Sequence, residues 1–186
     1  ICSGANITCS PSRFSGWKRC TADSAFRVVV NSPNRTSIRP LTSMGQRADL
    51  EDTILSLTAD GRTNINIGAV WGWRVLSPKR PFTEGKAYDN NMWEKVAVIM
   101  TDGQSNEDDA YPDAAGSINT SDRLKQTCQN MKAEGVKVYT IGFGSNTNVG
   151  LLQDCASPGN YFDAGNDLVS TFEDIAQQIS QLHISQ

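Results

Sequence analysis

The chain has 186 residues, with 17 Lys and Arg against 20 Asp and Glu, one His, five Cys and a net charge of −3. That length builds a domain with a full core. The near-balanced charge lacks the concentrated basic face that grips a nucleic acid backbone, and no run of 18 apolar residues is present to span a membrane.

Residues 1–36 are polar, rich in Ser, Asn and Pro, and hold three of the five cysteines, Cys2, Cys9 and Cys20. Only Phe26–Val30 (FRVVV) carries a strand pattern there, so the segment is expected to be an irregular, disulfide-tied extension. From residue 37 strands and helices alternate. Ser37–Leu41 reads as a short strand. Asp49–Leu57 has Leu50, Ile54 and Leu57 at helical spacing, and Gly61 ends it. Asn64–Ser77 reads as a helix with Ile67, Val70, Trp71, Arg74 and Val75 on one side, stopped by Pro78. Gly68 and Gly72, four apart, are expected to admit a neighbouring backbone. A loop rich in Pro, Gly, Lys and Asn follows to Asn91.

Lys95–Thr101 (KVAVIMT) is a continuous apolar run, expected to be a strand buried on both faces, as central parallel strands are. Ser121 or Asp122 caps the next predicted helix, which carries Leu124, Cys128 and Met131 inward and runs to Glu134 before Gly135. Val136–Phe143 (VKVYTIGF) is a strand, Val149–Cys155 a short helix and Tyr161–Asp163 a strand. The last helix, Asp167–Leu182, sets Leu168, Phe172, Ile175, Ile179 and Leu182 on one face. The alternation predicts an α/β domain over residues 37–186, with a mainly parallel open sheet flanked by helices.

In such a sheet, functional groups collect at the carboxyl ends of the strands. Asp102 stands there in Thr101-Asp102-Gly103, and Gly103 lets the chain turn sharply. A carboxylate so placed suits a hard cation, Mg²⁺ or Ca²⁺. Thr63, in Gly61-Arg62-Thr63-Asn64 ahead of a helix, offers a hydroxyl as a second ligand; the competing reading makes both residues turn formers and caps. Glu107, Asp108, Asp109 and Asp113 do not match the calcium-loop spacing and read as a solvated acidic loop. Trp71 is expected in the core, and Trp73 and Trp93 are expected to pack under the 78–91 loop rather than line a ligand surface.

The cysteines form no Cys-x-x-Cys pair and have one His for company, so they do not make a zinc site. Their odd number suits an exported protein with two disulfides and one cysteine left over. Cys128 faces inward and Cys155 ends the following helix, which makes them the first expected disulfide. Cys9 and Cys20 are the second, leaving Cys2 to pair outside the chain. His183, the sole histidine, lies at the C-terminus, away from any Ser or Cys nucleophile arrangement. No phosphate-binding glycine loop is present. The chain is therefore read as non-enzymatic.

The strand with its TDG turn (VAVIMTDG), the GRTN turn and VKVYTIGFG resemble the fourth strand, the threonine loop and the fifth strand of a von Willebrand factor A domain. That resemblance implies a Rossmann-like fold and a metal-ion-dependent adhesion site, in which Thr63 and Asp102 correspond to the family's Thr and Asp. The site's Asp-x-Ser-x-Ser loop occurs nowhere in the sequence. The fold's first strand, which bears that loop, accordingly reads as missing, and metal binding by this chain alone is expected to be weak or absent. AVWGWRVLSPKRPFTEG (69–85), LLQDCASPGNYFDA and the terminal QLHISQ resemble TadG-like proteins of bacterial tight-adherence (Flp) pilus assembly. In that group a cysteine-bearing insertion precedes the matching part, as residues 1–36 do here. The resemblance implies an exported adhesion or assembly module of the bacterial cell envelope. Its partner would be a pilus or surface protein, or the missing first part of the same domain. The rival reading is a metal-free scaffold that docks a partner on an open sheet edge; a metal-assisted hydrolase using Asp102 ranks last. Ile1-Cys2-Ser3 is no translation start, so the chain is expected to be a processed or trimmed fragment.

Overall fold

The two periodicities resolve, in a computed structural model, into strands β1 (Thr8–Pro11) and β2 (Lys18–Thr21), a 3₁₀ turn (Met44–Gln46), helices α1 (Arg47–Leu55) and α2 (Ile65–Leu76), strand β3 (Val96–Thr101), helix α3 (Thr120–Ala133), strand β4 (Lys137–Phe143), helix α4 (Val149–Cys155), strand β5 (Tyr161–Gly165) and helix α5 (Leu168–Leu182). The structure describes residues 8–11, 18–21, 38–57, 63–89, 92–104 and 119–182. The chain divides into two compact units, Ile1–Gly61 with Arg74–Asn90 and Arg62–Trp73 with Asn91–Gln186.

In the second unit β3, β4 and β5 form a parallel sheet in that order. Val98 pairs with Tyr139 and Met100 with Ile141. Stiff β-branched and aromatic side chains dominate these strands and pack well on a pleated surface. Side chains alternate across β4. Tyr139 and Ile141 face one way, into a cluster with Ala164 of β5 and Ile175 of α5, joined by Val96, Phe143, Phe162, Leu168 and Ile179. Val138 and Thr140 face the other way, where Leu124, Cys128, Met131, Leu152 and Cys155 of α3 and α4 are fully buried. Thr140 Oγ1 donates to the Leu152 carbonyl at 2.9 Å, and Cys128 is bonded to Cys155. Strand β4 is thus covered on both faces, as central parallel strands are.

Helices α2 to α5 begin on the same device. A side-chain oxygen of Asn64, Asn119, Asn148 or Asp167 accepts from the backbone N–H three residues on, at 2.8–3.2 Å. This satisfies one of the amides a helix start leaves orphaned. For α3 the cap is therefore Asn119, not Ser121 or Asp122, because only from there does an amide oxygen reach the Asp122 N–H. Hydrogen bonds from the Ser170 backbone N–H and from its side chain hold the Asp167 carboxyl below its ordinary value. At the far end of α3, Gly135 takes the left-handed conformation, φ 83°, that favours glycine.

Several expectations are corrected. Val98 and Met100 are 41% and 51% exposed: among the described residues β3 pairs only with β4, so a run composed like a central strand stands at an edge. Ile38–Leu41 is not a strand; Pro40 removes a ladder donor, and its carbonyl accepts from Thr42 Oγ1 instead. Within the first 36 residues, β1 and β2 form an antiparallel hairpin that sets Cys9 opposite Cys20, where a single irregular segment was expected. Phe26–Val30 and the side chains of Cys2, Cys9 and Cys20 lie outside the described residues. Ile54 of α1 and Leu57, two residues past its end, are exposed, so the expected apolar face is not buried. Trp71 is half-buried, and Trp93 is 56% exposed.

Among the described residues nothing stands within 4 Å of where a Cβ on Gly68 or Gly72 would project, so none of their backbone approaches α2 there. Glycine inside a helix costs roughly 0.5–1 kcal/mol relative to alanine. Gly68→Ala and Gly72→Ala are each expected to stabilise by about that amount, read as a higher urea midpoint; a lowered midpoint would place a neighbour against this face.

Candidate functional site

Two loops meet at the carboxyl end of β3. The strand ends in Thr101, which is buried. Its hydroxyl accepts from the Gly103 N–H at 3.2 Å and donates to the Gly103 carbonyl at 3.0 Å. This double bond of one side chain to one residue folds the chain back at once, leaving Asp102 exposed at the apex of the turn. The turn lies against the threonine loop: a Cβ on Gly103 would stand 3.8 Å from Thr63 Oγ1. Thr63 immediately precedes Asn64, the cap of α2, so helix and loop are fixed together. Farther along, Asn66 Oδ1 lies 3.0 Å from Thr127 Oγ1, in a buried contact that ties the first turn of α2 to α3. The structure thus places the Thr63 and Asp102 loops side by side.

The local donor set is short. Oxygen ligands are what a hard cation takes, and Thr63 and Asp102 supply a hydroxyl and a carboxylate. Among the described residues no three His, Cys, Asp or Glu side chains converge on one point. Mg²⁺ prefers an octahedral shell and gives up its waters reluctantly. These two groups therefore match a cation in kind but not in number. Ser105, Glu107, Asp108, Asp109, Asp113 and His183 lie outside the described residues.

Three further features were not legible in the sequence. Trp73 Nε1 donates to Glu134 at 3.0 Å, which turns that indole toward α3. Burial lowers the Lys95 ammonium, and Glu134 opposes that shift. Within β4, Gly142 leaves room that Thr147 Oγ1, Leu152 and the Tyr161 hydroxyl close in on, at 3.1–3.4 Å from a hypothetical Cβ. That Tyr161 hydroxyl is buried without a hydrogen-bond partner, and burial, then the Asp163 charge, push it up.

The Cys128–Cys155 bridge, with Cα atoms 5.1 Å apart and a sequence separation of 27, fixes α4 to α3. Lys132 Nζ adds bonds to the Asp154 and Ala156 carbonyls, both at 3.0 Å, where a cation meets the negative end of α4. No helix among the described residues is long and apolar enough to cross a membrane.

The family model for the von Willebrand factor type A domain matches residues 20–182. Among curated proteins, inter-alpha-trypsin inhibitor heavy chain H3 of Pongo abelii is 23% identical over 134 residues, covering 68% of this chain and 14% of that protein. The chain thus spans about one seventh of that relative's length. Among solved structures, proximal thread matrix protein 1 from the mussel byssus aligns with a TM-score of 0.50 and 23% identity, over 69% of this chain and 29% of its own. A second structure of the mussel protein, with zinc in its MIDAS motif, aligns at a TM-score of 0.48 and 24% identity, over 67% and 28% of the two chains.

Proposed function

Since the chain belongs to the von Willebrand factor type A domain family, we propose that it is a non-enzymatic protein-binding module of an exported bacterial envelope protein, of the TadG-like, pilus-associated kind. The observation that carries this reading is the meeting of the Thr63 loop with the Asp102–Gly103 turn at the carboxyl end of β3. There the two residues would hold part of the shell of Mg²⁺ or Ca²⁺, and a segment bearing Asp-x-Ser-x-Ser would complete it. A partner's carboxylate would take the remaining position. Export is supported by the buried disulfide, which persists in oxidising compartments. No described side chain near Asp102 serves as a nucleophile with a base beside it, which argues against hydrolysis.

Titration of Mg²⁺ into the 186-residue chain is expected to show no binding tighter than about 1 mM, because two oxygens do not make a dedicated site. With a peptide carrying an Asp-x-Ser-x-Ser loop added, cation binding is expected to appear and Asp102→Ala to abolish it. Tight binding by the chain alone, or binding indifferent to Asp102→Ala, removes the shared-site reading.

A second reading has its own support. Among the described residues β3 pairs only with β4, and Val98 and Met100 are exposed; an edge of this kind accepts an added strand. On this reading the module is a scaffold whose partner docks without metal.

A further inference from the structure

We infer that Asn66, Trp73, Thr127 and Glu134 are positioning residues. They form two polar rungs between α2 and α3 that fix how far along α3 the helix α2 sits, and so hold Thr63 level with the Asp102 turn. The inference deepens the shared-site reading, and its consequence for binding rests on that reading.

The rungs share one spacing. Thr127 Oγ1 donates to Asn66 Oδ1 at 3.0 Å, and Trp73 Nε1 donates to Glu134 Oε2 at 3.0 Å. The step from 66 to 73 on α2 equals the step from 127 to 134, where Glu134 is the C-cap of α3. Such a step is two helical turns, about 10 Å, so both members of each step lie on one side of their helix. Equal steps in the same chain direction mean that the two helices run parallel, side by side, joined at two levels. The glycines agree with this placement. At about 100° per residue, Gly68 and Gly72 fall on the side of α2 turned away from the rungs, where among the described residues nothing stands within 4 Å of a projected Cβ.

Helix α3 is the fixed member. Its Leu124, Cys128 and Met131 are fully buried, and the bridge to Cys155 holds it to α4. The hold on α2 is smaller: its buried residues are Ile65, Asn66 and Ala69. Apolar contacts are non-directional and tolerate sliding, whereas a hydrogen bond does not. A slide by one turn toward the end of α3 would set Asn66 level with buried Met131. Asn66 and Thr127, both 8% exposed, would then lose each other where water does not replace either partner. The Thr127 hydroxyl also stands 2.9 Å from the Arg123 carbonyl; the helix supplies that carbonyl with an amide, so the single hydroxyl proton is available to Asn66. A buried polar pair sets register between packed helices in this way, and a second pair two turns on also fixes the tilt.

Thr63 follows α2 rigidly. Asn64 Oδ1 accepts from the Ile67 N–H at 3.2 Å, which makes Thr63 continuous with the capped first turn. A one-turn slide would carry Thr63 about 5.4 Å from the turn whose Gly103 Cβ position now lies 3.8 Å from Thr63 Oγ1. Thr63 and Asp102 would no longer face one cation.

The test is nuclear magnetic resonance of the 186-residue chain. A nuclear Overhauser contact between the Thr63 methyl and the Gly103 α-protons is expected in the wild type. Thr127→Val and Trp73→Phe each remove one rung and keep an apolar shape. Either alone is expected to retain the contact, with amides of residues 67–69 exchanging about two- to threefold faster. The double variant is expected to lose the contact and to exchange there at least about tenfold faster, and Thr127→Ser in place of Thr127→Val to restore both. If the double variant does not fold, Asn66→Ala with Glu134→Ala removes the same rungs from the opposite partners. A double variant that keeps the contact and the wild-type exchange overturns the inference. So does faster exchange spread equally over α4 and β4, which is general loosening, and so does loss of the contact on removing either rung alone. In parallel, Mg²⁺ with the Asp-x-Ser-x-Ser peptide is expected to bind the double variant at least about tenfold more weakly than the wild type. Wild-type affinity in a double variant that has lost the contact overturns the positioning role. No binding by the wild type removes the shared site instead, and the resonance comparison still decides the register.

Discussion

Removal of the Cys128–Cys155 bridge is expected to lower stability by about 3.5 kcal/mol, the chain-entropy value for a closed loop of this length. The estimate follows from the 27-residue separation, since the bridge acts chiefly by restricting the unfolded chain. Both cysteines are fully buried, so the suitable variant is the double Cys128→Ala, Cys155→Ala, which adds no polar group to the interior. Folded α3 and α4 remain in contact without the bridge, through Lys132 and through the Lys125–Asp154 ion pair. The loss should therefore appear as a lower urea midpoint with native secondary structure intact at zero denaturant. A midpoint within experimental error of the oxidised protein would show that the reduced, unfolded chain is already constrained in this region.

Leu152→Ala is expected to cost about 3 kcal/mol, near the lower end of the range for buried leucines that leave a cavity. Leu152 is 0% exposed and approaches Gly142, whose missing side chain gives it room. The covalent bridge three residues later limits how far α4 can slide inward to fill the space. The companion variant Thr140→Val separates packing from hydrogen bonding. It deletes the bond from Thr140 Oγ1 to the Leu152 carbonyl, but that carbonyl also accepts from the Ala156 N–H at 2.9 Å. No acceptor is left bare, so Thr140→Val is expected to cost about 1 kcal/mol or less. Denaturant unfolding of the two variants checks the order; an equal or larger loss for Thr140→Val would show that the polar contact, not the cavity, holds α4 to the sheet.

The fold was legible wherever a segment's own pattern decided its state. Val149–Cys155 is a helix with the expected bounds, and the Asn148 cap that starts it is a local feature. Strand β4 and helix α5 were placed within a residue at their starts, since continuous β-branched sequence and a five-residue apolar stripe each leave one reading. The misreadings share a cause: they depended on what lies next to a segment. VAVIMT has the composition of a central strand, but its neighbours set its burial, and composition does not name neighbours. Gly68 and Gly72 have the spacing of a close helix contact, yet the space beside them is open. At the site, Thr63 and Asp102 were identifiable as end-of-strand and start-of-helix groups. The double bond of Thr101 to Gly103, which aims Asp102 outward, needed the backbone coordinates. So did the Asn66–Thr127 link, between residues 61 apart in sequence.

The disulfide also sets how the second unit responds to tension. It joins α3 and α4 on one face of the sheet, while α5 packs on the other face through Leu168, Ile175 and Ile179. A pull on the C-terminus meets α5 first, and that helix can peel away from β4 and β5 without breaking a covalent bond. The pull then reaches Cys155, where load passes directly to Cys128 and bypasses everything between. About 90 Å of contour, at up to 3.6 Å per extended residue, is thereby withheld from extension, including the whole of β4. Under shear such a domain would give up α5 as slack and keep the middle of its sheet.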